Sequence, residues 1–294
     1  MVIVTKRTGQ LGNRLFLFAH FVANAAEHRY ALANPSFRAY APYFEATSTQ
    51  DFGGLPIRLQ VFRRARFDYV FQLVQHSRIF RVLQKAVQLL PRRLAAAALL
   101  ADEDGPDFDL NQPEYLTPAR QGLVLAHGWM FRDKTHLRRH APLIRQLFAP
   151  VAVHRRAVEQ LIGLCRQQCA VLVGVHMRRG DYATFAHGAF YYDNATYAAR
   201  MREVQAQFPA TTRVAFLLCS NEAFDARDFA GLVLHRATGH FVEDLYALAA
   251  CDYVLGPPSS YSMWASFYGG VPLCHLHHPD QRLTLNDFQV FLDT

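Results

Sequence analysis

What the sequence has little of narrows it first. Cysteine is scarce and unpatterned: five among 294 residues, Cys165, Cys169, Cys219, Cys251 and Cys274. The number is odd and no Cys-x-x-Cys pair occurs. This excludes a disulfide framework and a cysteine zinc site, and fits a reducing compartment. Acidic residues are outnumbered, 24 against 31 Lys and Arg. The resulting net charge of +7 suits an anionic partner without choosing among a nucleotide, nucleic acid and an acidic membrane. No long apolar run is present. The longest block near a helix-like segment, Leu94 to Ala101, is far short of the roughly 20 residues that span a bilayer. The chain opens on Met1-Val-Ile-Val-Thr with neither a basic n-region nor an h-region. No secretory signal is therefore expected, and the expected location is cytoplasmic. Fixed-period repeats and low-complexity tracts are absent. With 51% hydrophobic residues the chain has material for real cores, which excludes disorder, and its length suits one large domain or two ordinary ones.

What is present centres on Val171-Leu-Val-Gly-Val-His-Met-Arg-Arg-Gly-Asp-Tyr182. The β-branched run Val171 to Val175 reads as a buried strand. It ends in His176, Arg178, Arg179 and Asp181, so charged groups are delivered to a strand's C-terminal end, where open α/β sheets bind ligands. Gly180 lets the turn bend sharply. Paired arginines suit a diphosphate, because each planar guanidinium donates parallel charge-assisted hydrogen bonds. A surface turn whose arginines pair with Asp181 is the plainer alternative.

The rest of the chain alternates strand and helix. Val2 to Thr5 reads as a strand, Gly9-Gln-Leu-Gly12-Asn-Arg14 as a glycine turn, and Leu15 to Glu27 as a buried helix. Polar Asn13 and Arg14 stand at that helix start, where free backbone N–H groups also lie. Residues 34 to 57 read as a packed irregular segment. Residues 58 to 93 carry nine Lys or Arg against one acid, Asp68, with apolar residues interleaved. Such a stretch is commonly the solvated face of a helix on a core; peripheral contact with an anionic membrane is the alternative. A D-x-D occurs within Asp102 to Asp109, preceded by Gly-Pro rather than by a strand, and reads as an acidic surface loop rather than a metal site. Leu123 to Ala126 is a short strand, Thr135 to Phe148 a helix, and Ala149-Pro150 a boundary.

In the second half Val153 to Gln167 is helical, Tyr182 to Tyr192 forms an aromatic loop containing His187, and Asp193 caps a helix from Asn194. Asn194-Ala-Thr196 is a glycosylation sequon without meaning in a cytosolic chain. Val214 to Leu218 is a strand ending in Ser220, Asn221 and Glu222. Val242 to Ala250 is a helix, and Tyr253 to Leu255 a strand ending in Ser259, Ser260 and Ser262 before a short helix. This pattern predicts parallel, Rossmann-like sheets. Serines and N–H groups at a helix start bind phosphate, though capping explains the serines singly.

These motifs resemble glycosyltransferase family 11, the inverting α1,2-fucosyltransferases, and more distantly the α1,6- and protein O-fucosyltransferases. Gly9-Gln-Leu-Gly-Asn13 with Phe16 is similar to the family's G-x-L-G-N-x-x-F, and His176-Met-Arg-Arg-Gly-Asp-Tyr182 to its H-x-R-R-x-D-Y. Gly128-Trp-Met-Phe is similar to its glycine-aromatic strand end, and Phe216 to Asn221 and Asp244 to Trp264 to its later motifs. Departures are Gly256-Pro-Pro before the serine loop, Tyr261 for Phe, and Arg14 for Gln. The resemblance implies an α/β fold of GT-B type, two Rossmann-like domains facing across a cleft. These would be an acceptor-side domain at 1–150 and a donor-side domain at 151–294. It implies GDP-fucose as the donor, a glycan acceptor, and no metal or other cofactor.

On the same resemblance Arg178 would stabilise the leaving diphosphate, which His176, Arg179, Ser259, Ser260 and Ser262 would hold. Ser220, Asn221 and Asp244 would lie near ribose or guanine, and Gln10, Gly12 and Asn13 would face the cleft. Asp181 and His187 are the candidate general bases, Asp181 equally a residue that orients the arginines. The expected function is thus metal-independent, inverting transfer of fucose to a glycan hydroxyl, α1,2 in linkage. Rivals are another nucleotide-sugar donor and a non-catalytic nucleotide- or glycan-binding protein. Nucleic acid is not an expected partner, since no such motif occurs and the basic residues are dispersed.

Overall fold

The structure, a computed structural model, describes residues 1–61, 76–89, 91, 95–101 and 105–292. Two compact units divide them, Met1–Val151 and Ala152–Leu292.

The first unit runs β1 (Val2–Val4), α1 (Leu11–His28), β2 (Leu32–Ala33), α2 (Glu45–Thr49), β3 (Ile57–Arg58), α3 (Ser77–Gln88), β4 (Ala96–Ala101), β5 (Phe108–Asp109), α4 (Pro113–Gln121), β6 (Leu123–Gly128), β7 (Phe131–Arg132), α5 (Lys134–Arg139) and α6 (Ala141–Leu147). Its main sheet has the order β3-β2-β1-β6-β4, parallel throughout. The apolar run of β1 suits a central strand, whose side chains are buried on both faces. Helix α1 is apolar almost all round because it too lies within the core. Its Phe18 ring meets Phe37 at 5.2 Å and Phe148, just after α6, at 5.4 Å. Asp133 is fully buried and caps α5 through the His136 N–H at 2.9 Å, while Asn24 donates to it at 2.7 Å.

Two features differ from the sequence expectations, and one strand has no counterpart among them. The apolar block before residue 101 is a strand, β4, paired with β6 from Ala96↔Leu123 to Ala101↔Gly128; ladder formation outweighs the helix propensity of alanine. The helix expected over Thr135 to Phe148 is two, meeting at His140, because Pro142 has no N–H to continue the ladder. Asp107 is tied to Lys134 at 2.8 Å, and Phe108–Asp109 pairs with Phe131–Arg132, so the D-x-D after Gly-Pro, Asp107-Phe-Asp109, ends in a short strand rather than lying in a free loop. Asp102 to Asp104, Leu94 of the apolar block, and the parts of the basic stretch at 62–75, 90 and 92–93 lie outside the described residues.

The second unit runs α7 (Ala152–Arg166), β8 (Val171–Met177), α8 (Asn194–Ala206), β9 (Val214–Ser220), β10 (Val233–Arg236), α9 (Phe241–Leu248), β11 (Tyr253–Gly256), α10 (Ser260–Gly269), β12 (Pro272–His275) and β13 (Gln289–Val290). The sheet order is β10-β9-β8-β11-β12-β13. All its pairings are parallel except β12 with β13. The parallel βα repeats place helices on the faces, so β8 sits mid-sheet with Val173, Val175 and Met177 packed against Tyr197 and Met201 of α8. Asp193 caps α8 through the Thr196 N–H at 2.7 Å. All five cysteines are buried and free.

Candidate functional site

The C-terminal ends of β8, β9 and β11 form one edge of the second sheet, and the loops leaving them are stitched together. The Arg179 N–H donates to Asn221 Oδ1 at 2.9 Å, and the Gly180 N–H to Glu222 Oε1 at 2.9 Å. The loop after β9 thus fixes the loop after β8. Gly180 is left-handed (φ 60°), and a Cβ there would stand 2.8 Å from Asn221 Nδ2. The turn therefore needs glycine both for its backbone and for its closeness to β9. On the other side β11 comes so near that a Cβ on Gly256 would lie 2.7 Å from the His176 carbonyl oxygen.

The two arginines part company. Arg179 is 7% exposed; its guanidinium donates to Asn194 Oδ1 at the start of α8, and Asn194 Nδ2 donates in turn to Asp228 at 2.6 Å. Arg178 stays partly exposed. It pairs with Asp181 at 2.7 Å and lies 5.3 Å over the Tyr182 ring. Tyr182 is itself anchored, donating its hydroxyl to the Pro258 carbonyl at 2.7 Å. Asp181 is therefore engaged with Arg178.

His176 is buried beside them, 4.9 Å from the Tyr261 ring. Burial, helped by Arg178 and His275, holds its imidazole down at about 3, so it is neutral near pH 7. Its Nδ1 has no hydrogen-bond partner within the protein, an orphaned buried polar atom of the kind that a ligand can satisfy. Asp244, on α9, is also buried. Its carboxylate accepts from Thr238 Oγ1 and the Gly239 N–H, both at 3.1 Å. Burial above all raises it to about 6, more than those hydrogen bonds lower it.

The serines are largely occupied locally. Ser259 caps α10 through the Tyr261 N–H at 3.3 Å, and the buried Ser262 donates to the Ser259 carbonyl at 3.0 Å. Ser260 opens the helix, half-buried. Ser220 donates to the Glu222 carbonyl at 2.8 Å. His187 is exposed on the following loop, with φ 57°. Gln10, Gly12 and Asn13 belong to the first unit, at the start of α1 beyond the end of β1: Gln10 exposed, Gly12 buried, Asn13 half-buried. Sequence reasoning missed Asn194, Asp228 and Glu222 as supports of the arginine loop. Glu222 had a usable signal, since it follows Ser220-Asn221 at a strand end; Asp228 had none.

Among the described residues, one group of three could offer metal ligands within 4.8 Å of one another: His154, His240 and Glu243. Their geometry serves packing instead. His154 Nδ1 bonds Glu243 at 2.8 Å, and the two imidazoles stack at 4.3 Å and 20°. In-plane lone pairs of near-parallel rings do not converge on one point. His240 Nδ1 already accepts the Val242 N–H at 3.3 Å, as the cap of α9.

Two Rossmann-like α/β units, the second with its polar loops at the strand ends, define the class: the chain has the GT-B type fold of the fucosyltransferases. The individual likenesses are these. FUT1 of Arabidopsis thaliana, solved as a point variant with GDP, matches 100% of this chain and 74% of its own, at 14% identity and a TM-score of 0.68. The fucosyltransferase NodZ from Bradyrhizobium matches 95% of this chain and 96% of its own, at 17% identity and a TM-score of 0.59. POFUT1 in complex with GDP-fucose matches 91% of this chain and 93% of its own, at 13% identity and a TM-score of 0.52. No protein-family model and no curated protein sequence matches the chain.

Proposed function

We propose that the chain is a glycosyltransferase that moves fucose from GDP-fucose to a hydroxyl of a glycan acceptor, with inversion, in the manner of the α1,2-fucosyltransferases of family 11. The observation that carries this is the partly exposed Arg178 at the end of the central strand, held by Asp181 and Tyr182 beside the buried, neutral His176 with its orphaned Nδ1. That arrangement supports a diphosphate site on a fold whose solved neighbours carry GDP and GDP-fucose.

In the reaction the acceptor oxygen forms a bond to the sugar's anomeric carbon as the bond from that carbon to the diphosphate oxygen breaks. Negative charge grows on the leaving diphosphate. Arg178 donates to it there, which lowers the barrier where the charge develops and makes a metal unnecessary in that role. Arg179, braced by Asn194, holds the loop. The Asp181–Arg178 pair supports an orienting role for Asp181, so the acceptor proton goes to His187 or, late, to the departing phosphate. The buried carboxylate of Asp244 suits the N–H edge of guanine.

Calorimetric titration with GDP, with and without EDTA, tests the reading. Binding indifferent to EDTA and weakened about tenfold or more by Arg178→Ala is expected; binding indifferent to both Arg178 and the nucleotide base would refute it. A donor panel with GDP-fucose against other nucleotide sugars then tests the sugar.

The surface of α3 supports peripheral membrane contact as part of the same proposal. Phe80 is buried, while Ile79, Val82 and Leu89 are exposed at 42%, 69% and 87% alongside Arg78, Arg81 and Lys85. Apolar groups flanked by cations suit an anionic bilayer surface. No helix among the described residues is long and apolar enough to cross a membrane. Co-sedimentation with phosphatidylglycerol vesicles, and not with phosphatidylcholine vesicles, is the expected result. Buried free thiols support the reducing, cytoplasmic location.

A further inference from the structure

We propose that the loop after β8 carries a subsite for the acceptor, in which a pyranose ring lies with its C–H face on Phe185. The inference rests on the transferase reading above and names a partner surface for it.

The observation is a graded stack of rings that begins at the diphosphate arginine and ends in solvent. The Arg178 guanidinium lies 5.3 Å from the Tyr182 ring centre. Tyr182 is buried, and Phe185 stacks on it at 4.9 Å and 30°. Phe190 follows at 6.4 Å and 33° from Phe185. Phe185 itself is 52% exposed. The stack is rooted by the Tyr182 hydroxyl on Pro258, in the loop that leads to α10, so its position is fixed from two strand ends.

The backbone just after Phe185 is strained. Ala186, His187 and Gly188 are left-handed in succession, with φ of 48°, 57° and 76°. Only the last is a glycine, so two residues hold a conformation that L side chains rarely adopt. A turn that spends strain to present a phenyl ring to water, one ring away from the proposed reaction centre, points to a ligand for that ring.

The chemistry of the ligand follows from the surface. A phenyl face is negative at its centre, and a pyranose offers one side lined by slightly positive C–H groups. The order of the layers selects the acceptor over the donor sugar. The donor sugar would be bonded directly to the phosphate proposed to meet Arg178, and so would lie beside Arg178. Phe185 is one ring further from Arg178, within reach of a molecule arriving from solvent.

The test uses the whole chain with GDP bound, and lactose and methyl β-galactopyranoside as probes. Saturation-transfer difference NMR reads which sugar protons touch protein. Strong transfer to the ring C–H protons is expected in the wild type. It should fall about tenfold in Phe185→Ala, as loss of a ring contact predicts, and be retained in Phe185→Trp. GDP affinity should be unchanged in both variants. Absence of transfer in GDP-bound wild type, or equal transfer in Phe185→Ala, overturns the subsite. So does weaker GDP binding by Phe185→Ala, which would put Phe185 in the donor site. A wild type that binds no GDP sinks the transferase reading and this inference with it, whereas GDP binding without sugar contact sinks the inference alone.

Discussion

Asp244→Asn separates stability from ligand recognition at one buried atom pair. The Asp244 carboxyl is buried and raised from the ordinary 3.8 to about 6, chiefly by burial. That rise amounts to about 3 kcal/mol against the charged form. The sign follows from proton binding: between the two values the folded state binds more protons than the unfolded one. The stabilising contribution of the protonated group is therefore complete below about pH 4 and is lost as pH rises through about 6. Asparagine keeps an oxygen for Thr238 and Gly239 and carries no charge. The variant should be more stable than wild type by about 1 kcal/mol at pH 4.5 and about 3 kcal/mol at pH 8, less whatever the weaker neutral hydrogen bonds give back. Urea denaturation at both pH values measures the gap. On the proposed role of Asp244 as an acceptor for the base's N–H groups, GDP affinity should move oppositely, falling roughly tenfold to a hundredfold at pH 8. A gap that does not grow with pH, or an Asn variant less stable than wild type at pH 8, would refute the burial argument. Unchanged GDP affinity would remove Asp244 from the base site.

Other outcomes can be stated briefly. Arg178→Lys should fold normally yet lose about a hundredfold or more in turnover, because a point charge does not replace the forked donor at the leaving group; single-turnover kinetics with GDP-fucose reads this. Asn194→Ala removes the acceptor of a buried guanidinium and should cost roughly 1–3 kcal/mol in urea unfolding. Gly180→Ala must hold φ near 60° against Asn221 and should cost about 1–2 kcal/mol, with GDP binding weakened as the arginine loop shifts. Glu222→Gln should be nearly neutral in both assays, since it still accepts the Gly180 N–H.

Much of the second unit was legible because a parallel strand buried on both faces must be a continuous apolar run. Val171 to Val175 and Val214 to Leu218 announce themselves that way. The strands that went unread carry no such signature. β2 and β3 are two residues each, and β10 is an edge strand whose Val233-Leu-His-Arg236 is half polar. The alanine run of β4 has the intrinsic preference of a helix, and only its partner β6, distant in sequence, makes it a strand. Pro142, by contrast, was visible in the sequence, and its consequence for the helix at His140 follows from the missing N–H alone.

The candidate site was legible in its residue types and not in their division of labour. Two adjacent arginines after a strand look equivalent in sequence. They are not equivalent in space: Arg179 turns inward to an acceptor, and Arg178 is left at the edge. The inward partner here is Asn194, 15 residues on, itself tied to Asp228 a further 34 residues away. No local spacing encodes that. The sequon that contains Asn194 draws attention to the right residue for the wrong reason: its amide belongs to the arginine brace. Arg178 is consequently the more exposed guanidinium of the pair, while Arg179 is braced through one nitrogen and keeps a buried Nε without a partner in the protein.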